Sequence, residues 1–155
     1  LFLLLLSLAT ISIALIAEYL YYLQPCELCL KQRHPYYFFI IISSLTIFIL
    51  PFYKIISLAL IQFGASYGIF YSIWHVGVEN KLLEGPSGCS AGLSLSSNAA
   101  DLKEQILNKQ VINCDEVIWS FFGISAASLN TILLLFIFVI NALYIIKLYG
   151  KKEEK

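Results

Sequence analysis

Four apolar stretches separated by polar segments organise the chain. The first, Leu1 to Leu23, carries one charge, Glu18, and is long enough to cross a hydrocarbon core, which takes about 20 helical residues. Tyr19, Tyr21 and Tyr22 at its outer end suit a retained interfacial belt, and no small-residue cleavage site precedes Pro25, so a removable signal peptide is disfavoured. The second stretch, Pro35 to Tyr53, is uncharged and opens with a proline, which the first helical turn tolerates because that N–H has no partner there. Pro51-Phe52-Tyr53-Lys54 is then short enough only for a hairpin between antiparallel membrane helices, and a third span follows from Ile55 to about Val78. After Glu79 come the turn cluster Gly85-Pro86-Ser87-Gly88 and a polar linker from Ser94 to Asn98, which mark an aqueous loop. Within that loop Ala99 to Gln110 predicts a short amphipathic helix at the membrane surface, capped by Asn98, with Leu102, Ile106 and Leu107 on one face. The fourth stretch, Val117 to Ile146, exceeds one crossing, so its first turn, with Trp119, is expected at the interface ahead of the span proper. Gly150 to Lys155 predicts a frayed tail.

The fold class expected is an all-α membrane protein: a four-transmembrane-helix bundle with two external cysteine-bearing loops, forming one integral membrane domain. Its spans fall near 1–23, 35–53, 55–78 and 119–146, its external loops near 24–34 and 79–118, and its cytoplasmic pieces at the turn near 54 and the tail 147–155. Composition agrees, because 59% hydrophobic and 13% charged residues are too apolar for an ordinary soluble domain, whose charged share is about a quarter. The net charge of zero offers no basic stripe for phosphates, so nucleic acid is not an expected partner. The sequence lacks methionine and opens at Leu1, so the natural start and the first cytoplasmic residues are expected to precede it, with the first span shortened. Lys54, Lys147, Lys151, Lys152 and Lys155 mark one side as cytoplasmic, and the region from Glu79 to Glu116, with six acids against three lysines, marks the other as external. Lys31 and Arg33 go against that bias and ask for a local reason.

All four cysteines, Cys26, Cys29, Cys89 and Cys114, fall in the two external loops. Thiols facing an oxidising compartment pair, in any of three connectivities, of which Cys26 with Cys29 and Cys89 with Cys114 is the simplest. A bridge closing Cys26-Glu27-Leu28-Cys29 removes little chain entropy, so its value is chemical: the first thiol of such a motif can have a lowered pKa, and the thiolate is what attacks disulfides. A Cys89–Cys114 bridge closes a longer loop and by itself suits a structural staple; beside a Cys-x-x-Cys on the same face a relay is favoured. Four-cysteine zinc sites usually show two tight Cys-x-x-Cys elements, and here twenty-four residues separate the second pair. Haem attachment needs a histidine after Cys29, where Leu30 stands. No metal is therefore expected.

The segment Pro25-Cys26-Glu27-Leu28-Cys29-Leu30-Lys31-Gln32-Arg33-His34-Pro35-Tyr36-Tyr37 resembles the first external loop of the DsbB family of disulfide bond formation proteins. The resemblance extends to His75-Val76-Gly77-Val78-Glu79, to Glu84-Gly85-Pro86 ahead of Cys89, and to Cys114-Asp115-Glu116 followed by Trp119, Phe122-Gly123, Ser125 and Asn130, so it covers nearly the whole chain. It departs at His34, where an apolar or aromatic residue is frequent, at Leu129, where an aromatic is common, and in a compact second loop. The resemblance implies a bacterial inner-membrane, multi-pass enzyme, with cysteine loops in the periplasm and termini in the cytoplasm. It would be a quinone-dependent protein-disulfide oxidoreductase that reoxidises a periplasmic DsbA-like thiol-disulfide oxidase and passes the electrons to ubiquinone or menaquinone. By the same resemblance the oxidase delivers electrons to Cys89–Cys114, Cys89 forms the mixed disulfide, Cys114 turns on Cys26, and Cys29 faces the quinone as a thiolate.

Arg33, four residues beyond Cys29, would sit one helical turn away if the second helix starts early, where it can stabilise a thiolate or an anionic quinone oxygen; the alternative is an arginine snorkelling to headgroups. Gln32, Glu18 and His75 are further candidates on the quinone side, Glu18 as a quinone-contacting or proton-handling group and His75 as a proton carrier, each set against an ordinary interfacial polar residue. Gly64 and Gly68 form a small-xxx-small pattern that allows close helix packing. Two other functions fit parts of the pattern. A vitamin K epoxide reductase-like enzyme also joins a quinone to loop cysteines, but there Cys-x-x-Cys comes late in the chain. A non-enzymatic membrane scaffold with two structural disulfides would show no quinone-dependent thiol oxidation.

Overall fold

The structure, a computed structural model, describes residues 1–48, 54–86, 114–115, 117 and 119–153. Four long helices dominate: α1 (Phe2–Tyr19), α2 (Glu27–Phe48), α3 (Lys54–Glu79) and α4 (Ala126–Glu153), with one small hairpin, β1 (Ser120–Phe121) and β2 (Ile124–Ser125), before the last helix. α3 packs against both α2 and α4, and α1 rests on α2. One buried cluster joins all four helices: Ile11, Tyr36, Phe39, Ile61, Ala65, Leu134 and Ile137. Outside it, Ile13, Phe63, Phe70, Ile132 and Leu143 stand exposed, an apolar outer surface that water would not tolerate over this area and that lipid matches. Among the described residues three helices, Phe2–Tyr19, Lys54–Glu79 and Ala126–Leu148, are long and apolar enough to cross a membrane.

α2 differs from those three. It begins at Glu27, two turns before Pro35, the expected start of the second span, so its first turns carry Glu27, Lys31, Gln32, Arg33 and His34 and only the part from Pro35 is free of charge. The remaining residues of that expected span, 49–53, lie outside the described residues, as does the short turn ahead of Lys54. Pro35 therefore sits inside the helix, where it cannot donate to the Lys31 carbonyl; its ring packs on Gly68 instead. A Cβ at Gly68 would lie 2.7 Å from Pro35 Cγ and 2.9 Å from a Leu134 methyl, and one at Gly64 would lie 2.9 Å from Phe38. Both glycines are close-packing points for α3, as their spacing predicts.

The helix ends are set locally. α1 stops at Tyr19, short of the expected Leu23, because the chain turns with Tyr22 in the left-handed region (φ 55°) and the Leu23 N–H returning to the Ala17 carbonyl. α3 closes in a Schellman motif: Lys81 is left-handed (φ 58°), its N–H reaches the Val78 carbonyl at 2.9 Å, and the Leu82 N–H reaches the Gly77 carbonyl at 2.8 Å. The turn expected to continue into the fourth span around Trp119 is not helical. Ser120 pairs with Ser125 and Phe121 with Ile124, and Phe122 (φ 51°) and Gly123 (φ 80°) supply the left-handed pair that a two-residue hairpin turn takes. Ser125 then caps α4, its Oγ accepting the Ser128 N–H at 3.2 Å. At the far end α4 continues to Glu153, so residues 150–153, expected as frayed tail, are helical; Lys and Glu are good helix formers and extend the helix beyond Gly150. The expected surface helix from Ala99 to Gln110 lies outside the described residues.

Candidate functional site

The site starts at the N-terminus of α2. Cys26 is the N-cap: its carbonyl accepts the Leu30 N–H at 3.1 Å and its Sγ accepts the Cys29 N–H at 3.2 Å, as a serine or aspartate oxygen does in this position. That places sulfur at the positive end of the helix dipole, which favours thiolate. One helical turn on, Cys29 Sγ stands 2.8 Å from Cys26 Sγ, and both are free thiols. Cys26 is pushed down to about 5, first by the Cys29 thiol bonding its sulfur, then by His75 and the Cys29 N–H, against the opposing effect of burial. His75 Nε2 lies 3.5 Å from Cys26 Sγ. The two sulfurs and the imidazole lie within 4.8 Å of one another, but two sulfurs on zinc at about 2.3 Å each stand roughly 3.7 Å apart, so the pair would have to open by about 1 Å to hold such an ion.

Both thiols pack in or against one buried cluster, but of the two Cys29 alone also lines a cavity. Cys26, 2% exposed, belongs to a buried cluster with Leu28, Val78 and Cys114. Cys29 lines a cavity of about 320 Å³, from which Cys26 is absent. Apolar side chains of α1 and α4, among them Ile13, Ala14 and Leu133, form one part of the cavity wall, and Gln32, Arg33, His75 and Asn130 form a polar part. Cys114 is buried and disulfide-bonded; Cys89, and with it the expected Cys89–Cys114 pairing, lies outside the described residues.

Helical spacing explains which side chains converge. Cys29 and Arg33 lie one turn apart, as do Gln32 and Tyr36, whereas Lys31 points elsewhere. Arg33 Nη1 donates to Glu18 Oε2 at 2.5 Å, tying α2 to α1. Glu18 is therefore Arg33's partner and is not among the cavity-lining residues. Lys31 pairs with Glu27 at 2.8 Å and lies over the Tyr71 ring, 5.5 Å from its centre. Lys31 and Arg33, the two cations that ask for a local reason, thus each have a local carboxylate. His34 is exposed, so its departure from the family pattern falls away from the site, whereas Leu129 lines the cavity.

Gln32 and His75 are joined directly, Gln32 Nε2 to His75 Nδ1 at 2.8 Å, and a buried polar chain continues behind them. Asn130 Nδ2 donates to Gln32 Oε1 at 3.0 Å and to Ser72 Oγ at 3.1 Å, and Tyr36 donates its hydroxyl hydrogen to Asn130 Oδ1 at 2.6 Å. Glu79 stands 4.0 Å from His75 Nε2 and accepts from Ser125 Oγ. Sequence alone assigns no chemistry to Tyr36, Ser72, Glu79 or Asn130. The available signal was a polar residue inside an otherwise apolar helix.

No solved structure matches the chain. A relative from Rickettsia prowazekii (strain Madrid E), the uncharacterized protein RP370, is 29% identical over 150 residues, covering 96% of this chain and 86% of that protein. The family model for the disulfide bond formation protein DsbB matches residues 1–144, nearly the whole of a chain whose long apolar helices and neighbouring thiols suit membrane disulfide chemistry. The chain belongs to the DsbB family.

Proposed function

We propose that the protein reoxidises a periplasmic DsbA-like thiol oxidase and passes the electrons through its two cysteine pairs to a membrane quinone. The observation that carries this is the division of the Cys-x-x-Cys pair: Cys26 is buried with Cys114, and Cys29 opens onto the cavity. A structural staple gains nothing from that arrangement, whereas a relay needs one thiol toward the donor and one toward the acceptor.

The exchange balances as follows. The partner's dithiol reduces Cys89–Cys114 and leaves as a disulfide. Cys114 thiolate attacks Cys26, breaking Cys26–Cys29 and releasing Cys29 as thiolate. Cys89 then attacks Cys114, restoring the loop disulfide and expelling Cys26 as thiolate. A depressed pKa makes Cys26 the better leaving group in that step. While Cys26 is held in the mixed disulfide it cannot share a proton with Cys29, and the neighbouring Arg33 cation then favours Cys29 as thiolate. The cavity fits a quinone headgroup, because an apolar wall suits the ring and Arg33 retains donors for a carbonyl oxygen beyond the one given to Glu18. A quinone bound there would accept two electrons and two protons as Cys26–Cys29 re-forms. The reading places four spans in the bacterial inner membrane, with cysteines on the periplasmic side and termini in the cytoplasm, and ubiquinone or menaquinone as acceptor.

The test is quinone reduction by purified protein supplied with a reduced thiol oxidase. Cys26→Ser and Cys29→Ser should each abolish turnover while the protein still inserts. Turnover in either variant overturns the assignment.

A further inference from the structure

The buried polar chain behind the thiols has a direction, and the direction has a consequence for His75. Tyr36 is 1% exposed, and a buried phenol must donate its hydrogen. Among the described residues its hydroxyl partner is Asn130 Oδ1, at 2.6 Å. With that oxygen accepting, the Asn130 amide presents Nδ2 to Gln32 Oε1 and Ser72 Oγ, and both of its hydrogens are used. Gln32 Oε1 accepts, so Gln32 Nε2 faces His75 and donates to Nδ1. The reversed chain turns Asn130 Nδ2 toward Tyr36 and leaves the phenolic hydrogen without a protein acceptor among the described residues.

We propose that Tyr36, acting through Asn130 and Gln32, turns the Gln32 amide so that it donates to His75 Nδ1 and the ring carries its hydrogen on Nε2, where an N–H faces the Cys26 sulfur. Tyr36 and Asn130 are thereby positioning residues of the thiol chemistry, three and two hydrogen bonds removed from the ring's far nitrogen. An imidazole in the other tautomer would turn a lone pair toward Cys26 and repel its thiolate. The groups that bear on Cys26 are Cys29 and, beyond it, Arg33 on α2, His75 and Glu79 on α3, and Cys114 in the shared cluster. Glu79 also favours a hydrogen on Nε2, so the contribution of Tyr36 has to be separated from it by substitution. The inference deepens the proposed exchange at Cys26. It does not depend on quinone turnover, so a failed quinone assay leaves it standing, and a wrong tautomer leaves the electron route standing.

The experiment is ring nitrogen NMR of the reduced full-length protein, in which His34 is the one other histidine and is assigned by His34→Gln. His75 should show hydrogen on Nε2. Tyr36→Phe, which removes only the hydroxyl, should shift the ring toward the Nδ1–H form. With both loop cysteines replaced by alanine, so that only Cys26 and Cys29 titrate, the ultraviolet thiolate midpoint should rise by about one pH unit in Tyr36→Phe, the scale of one lost hydrogen bond to a charged group. In a Gln32→Glu background the carboxylate accepts from both neighbours and Tyr36 no longer sets the direction, so adding Tyr36→Phe should move neither reading. Hydrogen on Nδ1 in the parent protein overturns the proposal without recourse to any variant. A Tyr36→Phe protein that melts earlier but keeps the parent tautomer and midpoint also overturns it and leaves Tyr36 as packing alone. So does an equal shift in the Gln32→Glu background.

Discussion

Arg33→Ala removes a cation that does two things at once, and the structure separates their sizes. The guanidinium is 15% exposed and its partner Glu18 is 18% exposed, so the pair is neither a surface pair nor a dry one. Exposed pairs contribute about 0–1 kcal/mol and breaking a buried pair costs about 3–5 kcal/mol, which puts the stability loss near 2 kcal/mol. The second effect acts on Cys29, one helical turn back, where facing side chains begin about 5–6 Å apart. At an effective dielectric near 20 the attraction between a unit cation and a thiolate over that distance is about 3 kcal/mol, equivalent to about two pH units, and water in the cavity reduces it. Loss of the cation raises the Cys29 pKa, so at neutral pH the rate of quinone reduction should fall between about tenfold and a hundredfold. The assay is quinone-reduction rate against quinone concentration over a range of pH, with thermal unfolding run in parallel. The rate limb of Arg33→Ala should move to higher pH and turnover should recover there, because alkali ionises Cys29 without help. Arg33→Lys should retain part of the rate, since it keeps the charge but loses the planar fork. A parent-like rate in Arg33→Ala refutes the role and returns Arg33 to an ion pair that fastens α2 to α1, whereas a loss that no increase in pH recovers refutes the action on Cys29 and leaves only the proposed contact with the quinone oxygen.

Two other perturbations probe the relay and the packing that holds it. Cys114→Ser should accumulate a mixed disulfide between Cys89 and the partner oxidase, visible as a larger band on non-reducing gels; an adduct formed instead through Cys114 in a Cys89→Ser variant reverses the order of attack. Gly68→Leu should destabilise the bundle by about 1–3 kcal/mol, because even a Cβ at this point meets Pro35 and Leu134 inside 3 Å, and a thermal midpoint equal to the parent's would show that α3 does not approach α2 and α4 that closely.

Much of this protein was legible in one dimension. The runs of Leu, Ile and Phe required long apolar helices, since a backbone in lipid must satisfy its own hydrogen bonds, and the spacing Cys26-x-x-Cys29 announced a redox pair too tight to be a staple. The spacing of Gly64 and Gly68 announced a close helix contact. Boundaries were less legible. Gln32, Arg33 and His34 read as loop, yet α2 absorbs them because Cys26 caps its N-terminus and Leu28 and Gln32 find buried places on the same face as Tyr36. Around Trp119, apolar composition suggested a helix, but the left-handed pair at Phe122 and Gly123 makes a hairpin. What only the tertiary structure decided is who faces whom: that Glu18 holds Arg33, that Cys26 is buried with Cys114 while Cys29 opens to the cavity, and that Tyr36, Asn130 and Gln32 meet behind His75. Those pairs lie far apart in sequence, Tyr36 and Asn130 by 94 positions, and each side chain is an ordinary polar residue until the packing of α2 between α1 and α3, and of α3 against α4, removes water from between them. A sequence specifies which groups can donate, accept or ionise; the order in which they touch is a property of the packed bundle.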